Sequence, residues 1–282
     1  MPDDPDEIRT IVHAIWGNVA PQWEAHADEV DERGAIQTRA LLERAQIGPG
    51  DRVLELACGP GGTGLAAAEA MGPEGSVVLS DVAASMTAIA AARAADRGLD
   101  NVTTAILDLE AIDQPGGSFD AVVCREGLMF AVDPDRAAAE ALRVLAPNGR
   151  AALSVWGPKA DNPWLAELLD GASEVLGVPM PPPGIPGPFS LANADLAGLL
   201  EGAGFVDVAV EDVPVPQRLP SFDDYWALTP DLAGPLAGVL AGLPDEQRQA
   251  IADRVRHGLV PYTSDAGLDV PGSCRVVSGR KE

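Results

Sequence analysis

Residues 53–64 read Val-Leu-Glu-Leu-Ala-Cys-Gly-Pro-Gly-Gly-Thr-Gly, and no other stretch of the chain limits its fold so tightly. A short apolar run that breaks into glycines and then into an Ala-rich segment is the pattern of a buried parallel strand, a tight turn and a helix start. Glycines there let backbone approach a ligand, and the unpaired N–H groups of the helix start favour anionic or polar ligand groups. The stretch predicts a cofactor loop.

The strand-and-helix unit then recurs along the chain. Strands are expected over residues 52–57, 76–80, 101–107, 118–124 and 150–156, with helices ending near 71 and spanning 84–97 and 134–145. Alternation with short connections predicts an α/β fold, a parallel sheet with helices on both faces. Right-handed crossovers gather the loops that follow the strands along one sheet edge. The glycine loop, Asp81, Asp108 and the residues after Cys124 should therefore meet in one crevice.

The flanks are less regular. Ile8, Ile11, Val12 and Ile15 predict one helix, and Ile36, Ala40, Leu41 and Ala45 mark a second over 23–45. Trp16, Trp23 and His26 lie between them and either cap the core or form a lid over the cofactor loop. Beyond Trp156, the face Trp164, Leu165, Leu168, Leu169 and Ala172 predicts another helix, and the proline-rich residues 179–188 an extended connector. A helix over 193–201, a strand carrying Val206, Val208 and Val210, helices over 221–259 and a strand over 274–278 complete the reading. Phe222, Tyr225 and Trp226 either line an apolar pocket or, as is commoner at helical spacing, belong to the core. The expected units are a helical lid (1–47), a cofactor-binding core (48–160), its completion (161–213), a helical cap (214–272) and a last strand (273–282).

Charge excludes several function classes. With 43 acidic against 19 basic residues the formal charge is -24, and Lys159 and Lys281 are the only lysines. Such a field repels nucleic-acid and lipid phosphates, so the partner expected is a small molecule, with no nucleic acid and no membrane insertion. The first ten residues lack a basic-apolar leader, which points to the cytoplasm, as a monomer or homodimer. Cys58, Cys124 and Cys274 sit in apolar runs without CxxC spacing and are expected reduced and buried. No metal site is expected from ligand spacing, although oxygens such as Asp133 and Asp135 leave magnesium open.

Residues 59–64 fit G-x-G-x-x-G, and Asp81 follows at a distance suited to a ribose-binding carboxylate, so an NAD(P)-dependent oxidoreductase is one reading. Glu55 inside the first strand and the helical segment before it argue against that. The block from Val53 to Gly64, through 79–86 (Leu-Ser-Asp-Val-Ala-Ala-Ser-Met), 107–110 (Leu-Asp-Leu-Glu) and 119–124 (Phe-Asp-Ala-Val-Val-Cys), to 142–150 (Leu-Arg-Val-Leu-Ala-Pro-Asn-Gly-Arg) resembles the class I S-adenosylmethionine (SAM) dependent methyltransferases. Within them it is similar to the small-molecule branch containing the ubiquinone and menaquinone C-methyltransferases.

The resemblance implies a Rossmann-like, seven-stranded, mostly parallel sheet with an antiparallel edge strand and a helical insertion before the last strand. It implies SAM as cofactor and methyl transfer to oxygen or carbon of a small, apolar or aromatic metabolite. Glu55 and the backbone around Ala57, Cys58, Gly59 and Gly61 would surround its amino acid end. Asp81, with Val82 and Met86 beside it, would accept from the ribose hydroxyls, and Asp108 with Leu109 would meet the adenine. Glycine is frequent in the family where this chain has Ala57, a change tolerable if that residue keeps an extended backbone. Glu126 and Arg125 are candidates for base and clamp, Arg125 also lying near the cofactor, with a mutual ion pair as the alternative. His26 leads the three histidines as general base because it lies beside the presumed lid. A SAM-binding protein without turnover is the remaining alternative.

Overall fold

The computed structural model describes residues 4–282; the first three residues of the 1–47 segment lie outside the described residues. The alternating block supplies strands β1 (Arg52–Glu55), β2 (Ser76–Asp81), β3 (Val102–Ile106), β4 (Phe119–Arg125) and β5 (Leu145–Trp156), and the later chain adds β6 (Val206–Pro214). Next come three short strands, β7 (Gln217–Leu219), β8 (Thr263–Ser264) and β9 (Gly267–Val270), then β10 (Ser273–Arg280). Seven of these form the main sheet in the order β3-β2-β1-β4-β5-β10-β6. β1 pairs in parallel with both β2 and β4, so the order reverses beside it and a crevice opens at the carboxyl ends of these strands. Val53 and Leu54 are fully buried there, which is why β1 is apolar without alternation.

The antiparallel strand expected at the edge is β10, which forms the edge pair with β6 while also pairing with β5. β5 starts at Leu145 and not near residue 150. The chain passes into it from the preceding helix without a loop, through a register shift opposite Phe119 and Ala121 and a left-handed Asn148.

Helices α1 (Pro5–Ala25), α2 (Ala27–Arg33) and α3 (Ala35–Ala45) precede the sheet. Pro5 occupies the first turn of α1, where its missing N–H costs nothing, and the Asp4 carboxylate accepts from the Asp6 N–H. The expected second helix is interrupted at Gly34, where a Cβ would lie 2.2 Å from Arg125 Nη1. α1 runs on through Trp16 and Trp23 and packs on α5 through a small cluster of Val19, Ala20, Ala83, Met86 and Ile89. The sheet is covered by α4 (Gly62–Met71), α5 (Ala84–Asp96), α6 (Pro134–Val144), α7 (Pro163–Leu176) and α8 (Leu196–Ala203). The proline-rich connector is a series of turns and not an extended run.

Between β6 and β10 the chain builds α9 (Phe222–Leu228), α10 (Pro235–Ala241) and α11 (Asp245–Leu259). This insertion is not wholly helical, because β7, β9 and β8 form a small antiparallel sheet in it. Strands of 3, 4 and 2 residues are too short to show a period in sequence. Tyr225 is completely buried and its hydroxyl donates to the Trp164 carbonyl at 2.6 Å, so these aromatics serve the core. No helix among the described residues is long and apolar enough to cross a membrane.

Candidate active site

The crevice beside β1 deepens into a cavity that opens to solvent. Strand ends form one wall and α1 to α3 a second; residues 232–235 enter the lining with Gly234 against Trp16 of α1, and Trp156 and Trp164 line it as well.

The glycine loop is held by its own backbone and by two acids. Cys58 N–H donates to the Ser80 carbonyl at 2.8 Å and Gly59 N–H to Asp81 Oδ2 at 3.0 Å. The other Asp81 oxygen accepts from Ala83 N–H at 2.9 Å. Burial raises the Asp81 carboxyl above its ordinary range, opposed by these amide donors. Glu55 closes the floor with Oε2 accepting from Gly64 N–H at 2.8 Å, and a Cβ on residue 64 would stand 2.6 Å from that oxygen. Burial pushes Glu55 up to about 8, against the downward pull of the Arg125 charge and the Gly64 amide.

The predicted residues largely meet. Glu55, Ala57, Cys58, Gly59, Asp81, Val82 and Met86 line the cavity, as do Asp108, Leu109, Arg125 and Glu126. Gly61 does not. It caps α4 at φ +88° and sits behind the loop, where a Cβ would press on Leu79 and Ala90 at 3.0 and 3.1 Å. Its amide is taken by the Cys58 carbonyl, so the turn consumes the group expected to face a ligand.

Ala57 is a second correction. Its backbone is left-handed, φ +50°, and not extended, so its methyl carries a conformational cost of about 1–2 kcal/mol. His26 is a third: it stands outside the cavity lining at the junction of α1 and α2, with Nε2 3.4 Å from Asp231 Oδ2. The helix break at His26 turns its ring to the segment preceding α10.

His13 lines the cavity instead, with Nε2 3.5 Å from Asp108 Oδ2. One turn earlier, Arg9 holds the buried Glu110 through Nε and Nη2 at 2.9 and 2.7 Å, and Glu110 also accepts from Val132 N–H at 2.6 Å. Arg9, Val12, His13 and Trp16 thus form one face of α1 over the loop after β3. That spacing is present in the sequence but is hidden by the isoleucines beside it. Trp16 makes edge contacts with Trp23 and Phe130 at 5.8 and 4.9 Å between ring centroids, roofing the cavity.

At the far side Arg125 and Glu126 part company. Arg125 turns to α2 and α3, with Nη1 donating to Thr38 Oγ1 at 3.1 Å and Nη2 3.7 Å from Asp31. Glu126 sits in the left-handed region, φ +59°, and accepts from the Gln37 side-chain amide. Gly127 permits the bend, since a Cβ there would lie 2.3 Å from that of Ala57. Burial pushes Glu126 up to about 7, while the Arg125 and Arg33 charges pull it down. A carboxylate so poised exchanges a proton near neutrality.

Comparison with known proteins places this geometry. A family profile described as a methyltransferase domain matches residues 53–149. A nocamycin O-methyltransferase of Saccharothrix syringae is 34% identical over 197 residues, covering 65% of this chain and 69% of that protein. The chain belongs to the SAM-dependent methyltransferase family. A ubiquinone/menaquinone biosynthesis C-methyltransferase of Xanthomonas oryzae pv. oryzae is 40% identical over 114 residues. That match covers 40% of this chain, which spans less than half (45%) of the relative's length. The family fold extends beyond the matched sequence: Haemonchus contortus phosphoethanolamine N-methyltransferase 2, solved with S-adenosyl-L-methionine, superposes with a TM-score of 0.53 over 87% of this chain and 52% of its own at 19% identity.

Proposed function

We propose that this protein transfers the methyl group of SAM to oxygen or carbon of a small, apolar or aromatic metabolite. The observation that carries the reading is the meeting, in one cavity, of the glycine loop with acids at three successive strand ends and of Glu126 opposite them.

The donor set suits the cofactor. Asp81 gives each oxygen to one loop amide and keeps lone pairs for ribose hydroxyls, making charge-assisted hydrogen bonds about twice as strong as neutral ones. Glu55 is a buried carboxyl with no cation within 4 Å among the described residues, a deficit that an ammonium group answers. Asp108 and Leu109 line the cavity beside the α1 face, Asp108 next to His13, which supports a role for them in receiving the adenine. When bound, SAM supplies a methyl group on a sulfonium, whose carbon–sulfur bond breaks with the electron pair left on sulfur.

The chain's own part is alignment, exclusion of water and management of one proton. The Trp16, Trp23 and Phe130 roof excludes solvent. Glu126, held by Gln37, takes the proton that a hydroxyl or carbon acceptor loses as its new bond to the methyl carbon forms. Trp156, Trp164 and Leu165 supply the apolar face for the acceptor. Three free, buried cysteines support work in a reducing compartment such as the cytoplasm.

Calorimetric titration with SAM and with S-adenosylhomocysteine tests the reading. Binding by the wild type, weakened at least about tenfold by Asp81→Ala through loss of a charge-assisted bond, is the expected result. Failure of both ligands to bind, or binding of NAD(P)H in their place, would falsify it.

A further inference from the structure

Three arginines line the cavity, and two are fully engaged: Arg9 grips Glu110, and Arg125 is tied to Thr38 and Asp31. The third, Arg33, ends α2 at the acceptor side. Among the described residues it has no carboxylate within 4 Å and no side-chain hydrogen bond. Its one close partner is aromatic, with the guanidinium carbon 5.3 Å from the centre of the Trp164 ring. Trp164 packs edge-on against Trp156 at 5.1 Å, and both rings line the same cavity.

An arginine in this setting is not explained by stability. Its stacking on tryptophan is a weak gain, and the half-buried guanidinium gives up part of its hydration in the cavity wall with no ionic partner to replace it. The local field compounds the cost: burial and the Arg125 charge lower the Arg33 pKa to about 10 despite the opposing pull of Glu126. Glu126 already accepts from Gln37 and does not close on Arg33. The molecule as a whole, at -24, repels anions, so an acidic ligand needs a cation at the binding point. Arg33 is also the residue type suited to carboxylate, because its planar fork gives paired donors.

Resting on the reading of this cavity as a methyltransferase site, we infer that the acceptor is an aromatic or apolar acid, its ring against Trp156 and Trp164 and its anionic group on Arg33. Arg33 is then the residue that selects the acceptor. The methylated atom lies at the Glu126 side, and the acid group anchors the molecule.

The test uses isosteric pairs on the full chain: 2-naphthoate with 2-naphthamide, and indole-3-acetate with indole-3-acetamide. Each is titrated calorimetrically with and without saturating S-adenosylhomocysteine, against wild type, Arg33→Gln and Arg33→Lys. The acids are expected to bind wild type at least about tenfold more tightly than the amides. Arg33→Gln should erase the preference, Arg33→Lys should keep part of it, and S-adenosylhomocysteine affinity should be equal in all three, which reports an intact fold. Equal binding of acid and amide to the wild type, absence of acid binding, or a preference that survives in Arg33→Gln overturns the inference. Lack of S-adenosylhomocysteine binding instead strikes the methyltransferase reading, and the acid–amide preference is still read in its absence.

Discussion

Ala57 and Glu126 both hold a positive φ, and they do so on facing ends of β1 and β4 with Gly127 pressed between them. Non-glycine residues in this region persist only where their surroundings over-determine them, and such residues cluster at functional sites. At Ala57 the strain follows from the loop's need to turn away from the strand immediately after Leu56. Ala57→Gly removes the Cβ penalty of about 1–2 kcal/mol and gives back about 0.4–1 kcal/mol through a freer unfolded chain. The variant should therefore gain between zero and roughly 1.6 kcal/mol in urea unfolding, a margin set by the difference of those terms. A loss of stability would mean that the methyl packs well enough to outweigh its strain. The sequence hinted at this position only through its departure from the family's glycine. The conformation of Glu126 was not legible there at all, since a left-handed glutamate has no signature when the residue that permits it is its neighbour.

α1 closes the cavity through contacts that are few and specific. Arg9 on Glu110 is the strongest, with 4% of the Glu110 side chain exposed, and His13 on Asp108 lies one turn further along. Cutting the pair leaves a buried carboxylate with only the Val132 amide, which costs about 1–3 kcal/mol once the partial exposure of Arg9 is discounted. Arg9→Ala should show that loss in denaturant and a weaker affinity for S-adenosylhomocysteine, because the α1 face overlies the loop after β3. Unchanged stability and affinity would show that the aromatic roof holds α1 without the ion pair. The periodicity of α1 was legible, but its functional face was not, for Ile8, Ile11 and Ile15 dominate a hydrophobicity reading while Arg9, Val12, His13 and Trp16 reach the cavity. His26 is the converse case: proximity in sequence to the tryptophans suggested a role that the break between α1 and α2 removes.

For the molecule as a whole, Glu55 links stability to pH. Its carboxyl rises from an ordinary value of 4.5 to about 8 on folding, so between those values the native state holds a proton that the unfolded chain releases. The contribution is fully present below pH 4.5 and is lost as pH rises through 8. Relative to Glu55→Gln, whose amide oxygen still accepts from Gly64, the wild type should lose on the order of 1 kcal/mol per pH unit across that window. Urea unfolding at pH 5.5, 6.5 and 7.5 reads the slope; parallel curves for the two proteins would place the native pKa near its ordinary value. The sequence by itself determined the sheet, its cofactor edge and the acids along it, because strand period, glycine turns and short right-handed crossovers are local rules that leave few topologies. Only the tertiary structure decided which side chains of α1 to α3 enter the cavity, that Gly61 faces inward to the fold and that Arg33 meets no carboxylate among the described residues. Those outcomes depend on how a helix is rotated and what packs on it from far along the chain. Neither is written in the spacing of neighbouring residues.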